Sequence, residues 1–184
     1  MRKIIGPAAF ALLAAYASPS AADMGARARV TFAADRLMGI YVFDRGGSDT
    51  TFGLGGPPAG GHPYEGARLG IDFFVIDHLS LGGSFIFASH DNDSHLLLYP
   101  RIGYAIDFSR AFGFWPRGGL TYRNDDLRRG NDDELALTFE AMFYGAPAEH
   151  FAFIFGPVFD FGFVGDSPKS ANFGILTFGV LGWI

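Results

Sequence analysis

Two short stretches of the 184-residue chain hold the residue types that site chemistry uses. "HDNDSH", with His90, Asp91, Asn92, Asp93 and His95, has the composition of a metal-ligand cluster. It lacks the glycine and terminal glutamate of a calcium loop, and a short connection is polar for ordinary solvation reasons, so no metal is expected there. "NDDLRRGNDDE" at 124–134 could bind cations or present charge to a partner, and a solvated loop is the simpler expectation. Ser89 and His90 are the nearest approach to a nucleophile and its base. As sequence neighbours on a strand they point to opposite faces, which argues against a working pair. His62, His78 and His150 have no serine motif around them and no GxSxG occurs, so the reading is not an enzyme, and no cofactor is expected.

The remaining candidates are ionisable residues embedded in apolar segments: Arg68, Asp72, Arg101, Asp107, Arg117, Arg123, Glu140 and Asp160. Asp35 and Arg36 join them on a first segment whose register is unresolved, because "AADRL" breaks the alternation there and suggests a β-bulge. Both signs occur in similar number. The chain has 12 arginines and only two lysines, and guanidinium forks pair with carboxylates through two hydrogen bonds. The set therefore reads as a paired network closing a narrow lumen, with a gated ion pathway along the same charges as the alternative.

The elements that must position these residues follow from a period of two. Eight segments alternate apolar and polar, at about 28–44, 66–76, 79–89, 96–108, 112–123, 135–145, 151–163 and 172–184. "FAFIFGPVFDFGF" at 151–163 is the clearest. It places Phe151, Phe153, Phe155, Phe159, Phe161 and Phe163 on one face and Asp160 on the other, with Pro157 marking a bulge or bend. Long polar connections, including residues 46–65, alternate with tight turns at "DH", around "SRA" and at "APAEH". That rhythm describes an antiparallel up-and-down meander with loops at one end and turns at the other.

Composition agrees. Among 184 residues, 26 glycines and 21 phenylalanines with 49% hydrophobic content point to an all-β chain. A net charge of -5 with no basic run excludes nucleic-acid binding, and the absence of cysteine excludes disulfides and thiol chemistry. Arg2 and Lys3, an apolar run from Ile4 to about Ala17 and small residues after it read as a secretory signal peptide over 1–22. Cleavage is expected before Asp23, with "AYA" at 15–17 as a competing site, leaving 23–184 as one domain.

Alternation fits two barrels of opposite polarity. A soluble ligand-binding barrel buries its apolar face, whereas an outer-membrane barrel turns that face to lipid. Here the charged face is too sparsely charged for water and the Phe face too bulky for an eight-stranded interior, so the phenylalanines are expected to meet lipid. Tyr104, Tyr122, Phe143 and Trp183 are then candidates for interfacial girdles.

The whole of 23–184 resembles the small eight-stranded outer-membrane barrels of the OmpA/OmpX type. The features that carry the resemblance are the signal peptide, the eight alternating segments, the alternating connection lengths and an aromatic near the end in "FGVLGWI". It implies an eight-stranded antiparallel transmembrane β-barrel in a bacterial outer membrane, a monomer among outer-membrane lipid, inserted by the barrel-insertion machinery, with a structural role or an extracellular partner reached through its loops. The terminal aromatic that serves such proteins as an assembly signal is displaced by one position here, at Trp183 before Ile184. A small pore or specific transporter is the alternative function. A soluble lipocalin-like barrel and a lipid-modifying barrel enzyme rank lower.

Overall fold

A computed structural model describes residues 24–44, 48–54, 66–90, 93–127, 130–165 and 171–184. The signal-peptide reading, His62, Asp91, Asn92 and most of the 46–65 connection lie outside the described residues. The strands are β1 (Val30–Asp44), β2 (Ser48–Leu54), β3 (Arg68–Ile76), β4 (Leu79–His90), β5 (Asp93–Tyr104), β6 (Ile106–Ser109), β7 (Phe112–Leu127), β8 (Gly130–Ala148), β9 (Phe151–Gly165) and β10 (Ala171–Trp183). They pair antiparallel in the order β10-β9-β8-β7-β5-β4-β3-β1, and β10 pairs again with β1 to close the ring. Closure removes the exposed sheet edges that an open sheet of alternating strands would leave, except beside β2, which among the described residues pairs only with β1.

The ten strands make eight staves. β5 and β6 are one stave interrupted at Ala105, both paired to β7. β2 and β3 share one side of β1: β3 takes its first half, from Val30↔Phe73 to Asp35↔Arg68, and β2 its second, from Met38↔Leu54 to Asp44↔Ser48. Part of the expected first loop is therefore strand. The expected loops "HDNDSH" and "NDDLRRGNDDE" are also mostly ladder, because β4 runs to His90, β5 starts at Asp93, β7 runs to Leu127 and β8 starts at Gly130. Cross-strand pairing carries these polar segments as hairpin extensions. At the other end, β8 reaches Ala148 and leaves Glu149–His150 as the turn. His78 and His150 adopt φ of 68° and 64° in their turns, a left-handed conformation in which histidine is one of the enriched side chains.

The outside of the barrel is apolar. Phe151, Phe153, Phe161 and Phe163 are exposed, and Phe155 and Phe159 are half-buried only by outward neighbours. Phe155 stacks on Phe143 and Phe178 at 5.9 and 6.2 Å, and Phe159 on Phe173 at 4.5 Å. Tyr104 and Tyr122 also face out, whereas Trp183 does not: it is 2% exposed and packs inside against Leu181 and Ala152. The inward position of Trp183 has a local cause. Three steps on β10, from Gly174 to Thr177, oppose two on β9, from Val158 to Gly156. The extra residue puts Ile175 and Leu176 both outside and reverses the parity of everything after them. The bend expected at Pro157 is thus a bulge in the strand beside it.

A second irregularity lies in β1. Between Ala34↔Val180 and Met38↔Phe178 four steps oppose two, and Arg36 adopts φ 54°. Asp35 and Arg36 are consecutive yet both point inward, buried to 1% and 2% exposure. This is the bulge suggested by "AADRL", and it gives one stave two ionised groups at one level of the lumen.

Candidate functional site

The interior is layered along the barrel axis. At the turn end Met24, Phe74, Ala105, Trp115, Tyr144, Ala152, Leu181 and Trp183 form an apolar stopper. Trp115 stacks on Phe74 at 5.8 Å and donates from Nε1 to Ser80 Oγ at 3.2 Å, so the indole is packed and hydrogen-bonded at once.

Above the stopper lies the ionic layer. Four arginines, Arg36, Arg68, Arg101 and Arg117, and four carboxylates, Asp35, Asp72, Glu140 and Asp160, are buried together. Their formal charges cancel. Arg101 donates to Asp72 from Nε and Nη2 at 2.9 and 2.5 Å and to Asp35 from Nη1 at 2.7 Å. Arg117 Nη2 bridges Asp35 at 3.0 Å and Glu140 at 2.8 Å. Arg36 is the other bridge, reaching Glu140 Oε1 at 3.2 Å and both Asp160 oxygens at 2.8 and 3.1 Å. Asp160 also accepts from Thr138 at 2.8 Å and Asn172 at 2.9 Å, so its lone pairs are well used. The Asp35–Arg36 bulge therefore ties the Arg101–Arg117 side of the network to the Glu140–Asp160 side.

Aromatic faces complete the layer. The Arg117 guanidinium lies 4.7 Å from the Trp115 ring centroid, Arg101 lies 5.6 Å from that of Tyr99, and Arg68 sits 6.0 Å above the same tyrosine. Gly70 supplies the clearance for the Arg101–Asp35 pair, since a Cβ there would lie 2.7 Å from Asp35 Oδ2 and 2.8 Å from Arg101 Nη2.

Toward the loop end Ile86, Leu97, Tyr99 and Ala136 make a smaller apolar cluster, and beyond it comes a second ionic group. Arg123 contacts Asp125, Asp132 and Glu134 at 2.6, 3.1 and 2.9 Å, and His95 Nδ1 lies 2.9 Å from Asp125 Oδ1. Asp125 and Asp132 face each other across the β7–β8 ladder, a like-charge pair that is unfavourable without the cation between them.

The sequence candidates thus divide. Arg68, Asp72, Arg101, Arg117, Glu140 and Asp160 lie in the central layer, Arg123 in the loop-end group. Asp107 belongs to neither: its side chain is 30% exposed at the turn-end mouth, where it accepts from Tyr144 Oη and lies 3.6 Å from His78 Nδ1. The break of the stave at Ala105 leaves all of β6 exposed and carries Asp107 out of the lumen. Sequence reading missed Trp115 and Tyr99 as arginine platforms, and Thr138 and Asn172 as ligands of Asp160. Their inward parity was the available signal. No group of three or more potential metal ligands exists among the described residues.

No family model and no curated protein matches the chain. Solved structures do. The N-terminal β-barrel domain of Pseudomonas aeruginosa OprF matches with a TM-score of 0.51 at 13% identity, over 86% of this chain and 98% of that one. Ail, the attachment invasion locus protein of Yersinia pestis, matches with a TM-score of 0.50 at 9% identity, over 86% and 99%. Neisserial surface protein A matches with a TM-score of 0.51 at 13% identity, over 84% and 95%. The likeness is one of fold: this chain has the architecture of the small eight-stranded outer-membrane β-barrels.

Proposed function

We propose that the protein spans a bacterial outer membrane as a closed, monomeric barrel, and that it acts as a structural element presenting its loop-end hairpins to the outside rather than as a pore. The filled interior carries this reading. An aqueous path would have to cross the apolar stopper and a charge-balanced layer in which Arg36, Arg101 and Arg117 already bind all four carboxylates. The outer face supports the membrane position. On β5 the outward residues are apolar from Leu96 through Leu98, Pro100 and Ile102 to Tyr104. That stretch is about 27 Å along the strand and about 20 Å along the axis at the usual barrel tilt, close to the apolar band of outer-membrane barrels. Tyr122 marks its upper border, with its ring outside and its hydroxyl donating to Asp133 at 3.4 Å.

Two measurements test the reading. Purified protein in planar bilayers is expected to leave conductance at the level of the protein-free membrane; steady single-channel steps would favour the transporter alternative. Unboiled protein from washed outer membranes is expected to migrate differently from the boiled form, and recovery in the soluble periplasmic fraction would invert the assigned polarity. The interior position of both tryptophans adds a prediction. Lipids brominated along the acyl chain should quench Trp115 and Trp183 little in the folded protein, because both rings are within 2% of full burial by the barrel itself. Strong quenching would place Trp183 on the outer face.

A further inference from the structure

We infer that residues 24–27 form a separable strap that corks the turn-end mouth of the barrel. The inference rests on the closed barrel proposed above, but concerns an element that is not part of its wall. β1 enters the wall at Val30, whose backbone exchanges hydrogen bonds with Ile184 at 3.2 and 3.1 Å. Before that point the chain stays beside Phe74 through Arg29 and Ala28, turns at Ala28, φ 67°, and delivers Met24 to the stopper.

The strap is fastened on one side only, to the β3–β4 turn and the strand entering it. Ala28 N donates to Phe74 O at 2.8 Å, Arg27 N to Asp77 Oδ1 at 2.9 Å, and His78 N to Gly25 O at 2.7 Å. The Met24 side chain is fully buried in the stopper with Phe74, Ala105 and Trp115. Methionine suits a cork, since its unbranched thioether fills an irregular gap. Gly25 is part of the fit: a Cβ there would lie 3.0 Å from His78 Nδ1 and 3.4 Å from Ala105 Cβ. Ala28 and Arg29 together oppose Phe74, whose N–H donates to Arg29 O at 2.9 Å, so this pair extends the β1–β3 pairing by one bulged position; the Arg27 and Gly25 contacts beyond it are not ladder pairs of the wall. Lifting 24–27 leaves the ring of staves closed, since β1 pairs with β3 from Val30 and with β10 from Thr31, and opens the apolar layer that holds Trp115 to water from the turn end.

The test reads tryptophan accessibility in the full barrel. Met24→Gly and a deletion of 24–27 are refolded from urea into detergent micelles, and the folded form is checked by heat-modifiable mobility. Acrylamide quenching of the tryptophans is expected to rise about twofold or more over the native chain in both, while Met24→Leu stays at the native value. Native quenching in a folded strap deletion overturns the inference. Should the deletion fail to fold, amide exchange of the native chain decides. Exchange at Arg27 and His78 faster than at the β7–β8 ladder supports a separable strap, and exchange as slow as that ladder overturns it. Quenching and exchange do not depend on conductance, so a conducting native barrel would sink the closed-lumen reading without deciding this one.

Discussion

Arg101→Met is expected to lower the unfolding free energy by about 3–5 kcal/mol, measured as the loss of the heat-modifiable form along a urea series in detergent or vesicles. The direction follows from what the substitution leaves behind. Arg101 holds Asp72 through two hydrogen bonds and Asp35 through one, and its side chain is fully buried. Methionine replaces the volume of the stem but leaves two carboxylates in the lumen with one cation fewer. A buried ion pair is poor evidence of net stability, yet the removal of one partner is expensive because the other stays charged and dry. A second variant separates these effects. Arg101→Met combined with Asp72→Leu keeps the lumen neutral, and Arg117 still serves Asp35 at 3.0 Å. It is expected to recover most of the loss. A single-variant loss below about 1 kcal/mol, the scale of a solvated surface pair, would show that water reaches this layer and would reopen the conduction reading.

What the sequence made legible is what period two encodes. The six phenylalanines of 151–163 face outward and Asp160 faces in because β9 is regular through that stretch, and six of the eight acidic and basic candidates reached the central layer by the same parity. The failures share a physical form: each sits where a strand gains a residue, breaks, or outlasts its apolar face. Trp183, a girdle candidate by sequence, lies inside because one bulge on β10 reverses the parity ahead of it. Asp107 was assigned inward across an uninterrupted strand that in fact breaks at Ala105. The acidic runs at 90–95 and 124–134 read as loops in sequence because polar residues seldom signal strand, whereas β4–β5 pairing carries most of the first and Arg123 with the β7–β8 ladder carries most of the second in hairpins. Met24 escaped notice because an interior plug from outside the staves has no periodicity to announce it.

The β10 bulge makes the parity argument testable by two deletions that look alike in sequence. Deleting Ile175 removes one of two successive outward residues and leaves Gly174 inside, Leu176 outside and Thr177 inside, so the pairing of Thr177 with Gly156 and of Phe178 with Phe155 survives. The folded form is expected to persist with a stability change of about 1–2 kcal/mol, the local effect of refitting a strand beside Pro157. Deleting Val180 shortens a stretch with no extra residue. Leu181 then takes an outward position and Trp183 follows it, emptying two large side chains from the turn-end stopper. Each truncation of this kind in a packed core costs about 2–5 kcal/mol, so their combination, about 4–10 kcal/mol, is comparable with the whole of the roughly 5–15 kcal/mol that a domain commonly holds in reserve. The Val180 deletion is expected to give no heat-modifiable species under conditions where the Ile175 deletion refolds. Equal behaviour of the two would mean that the end of β10 selects its own face, and that the inward position of Trp183 does not depend on the bulge.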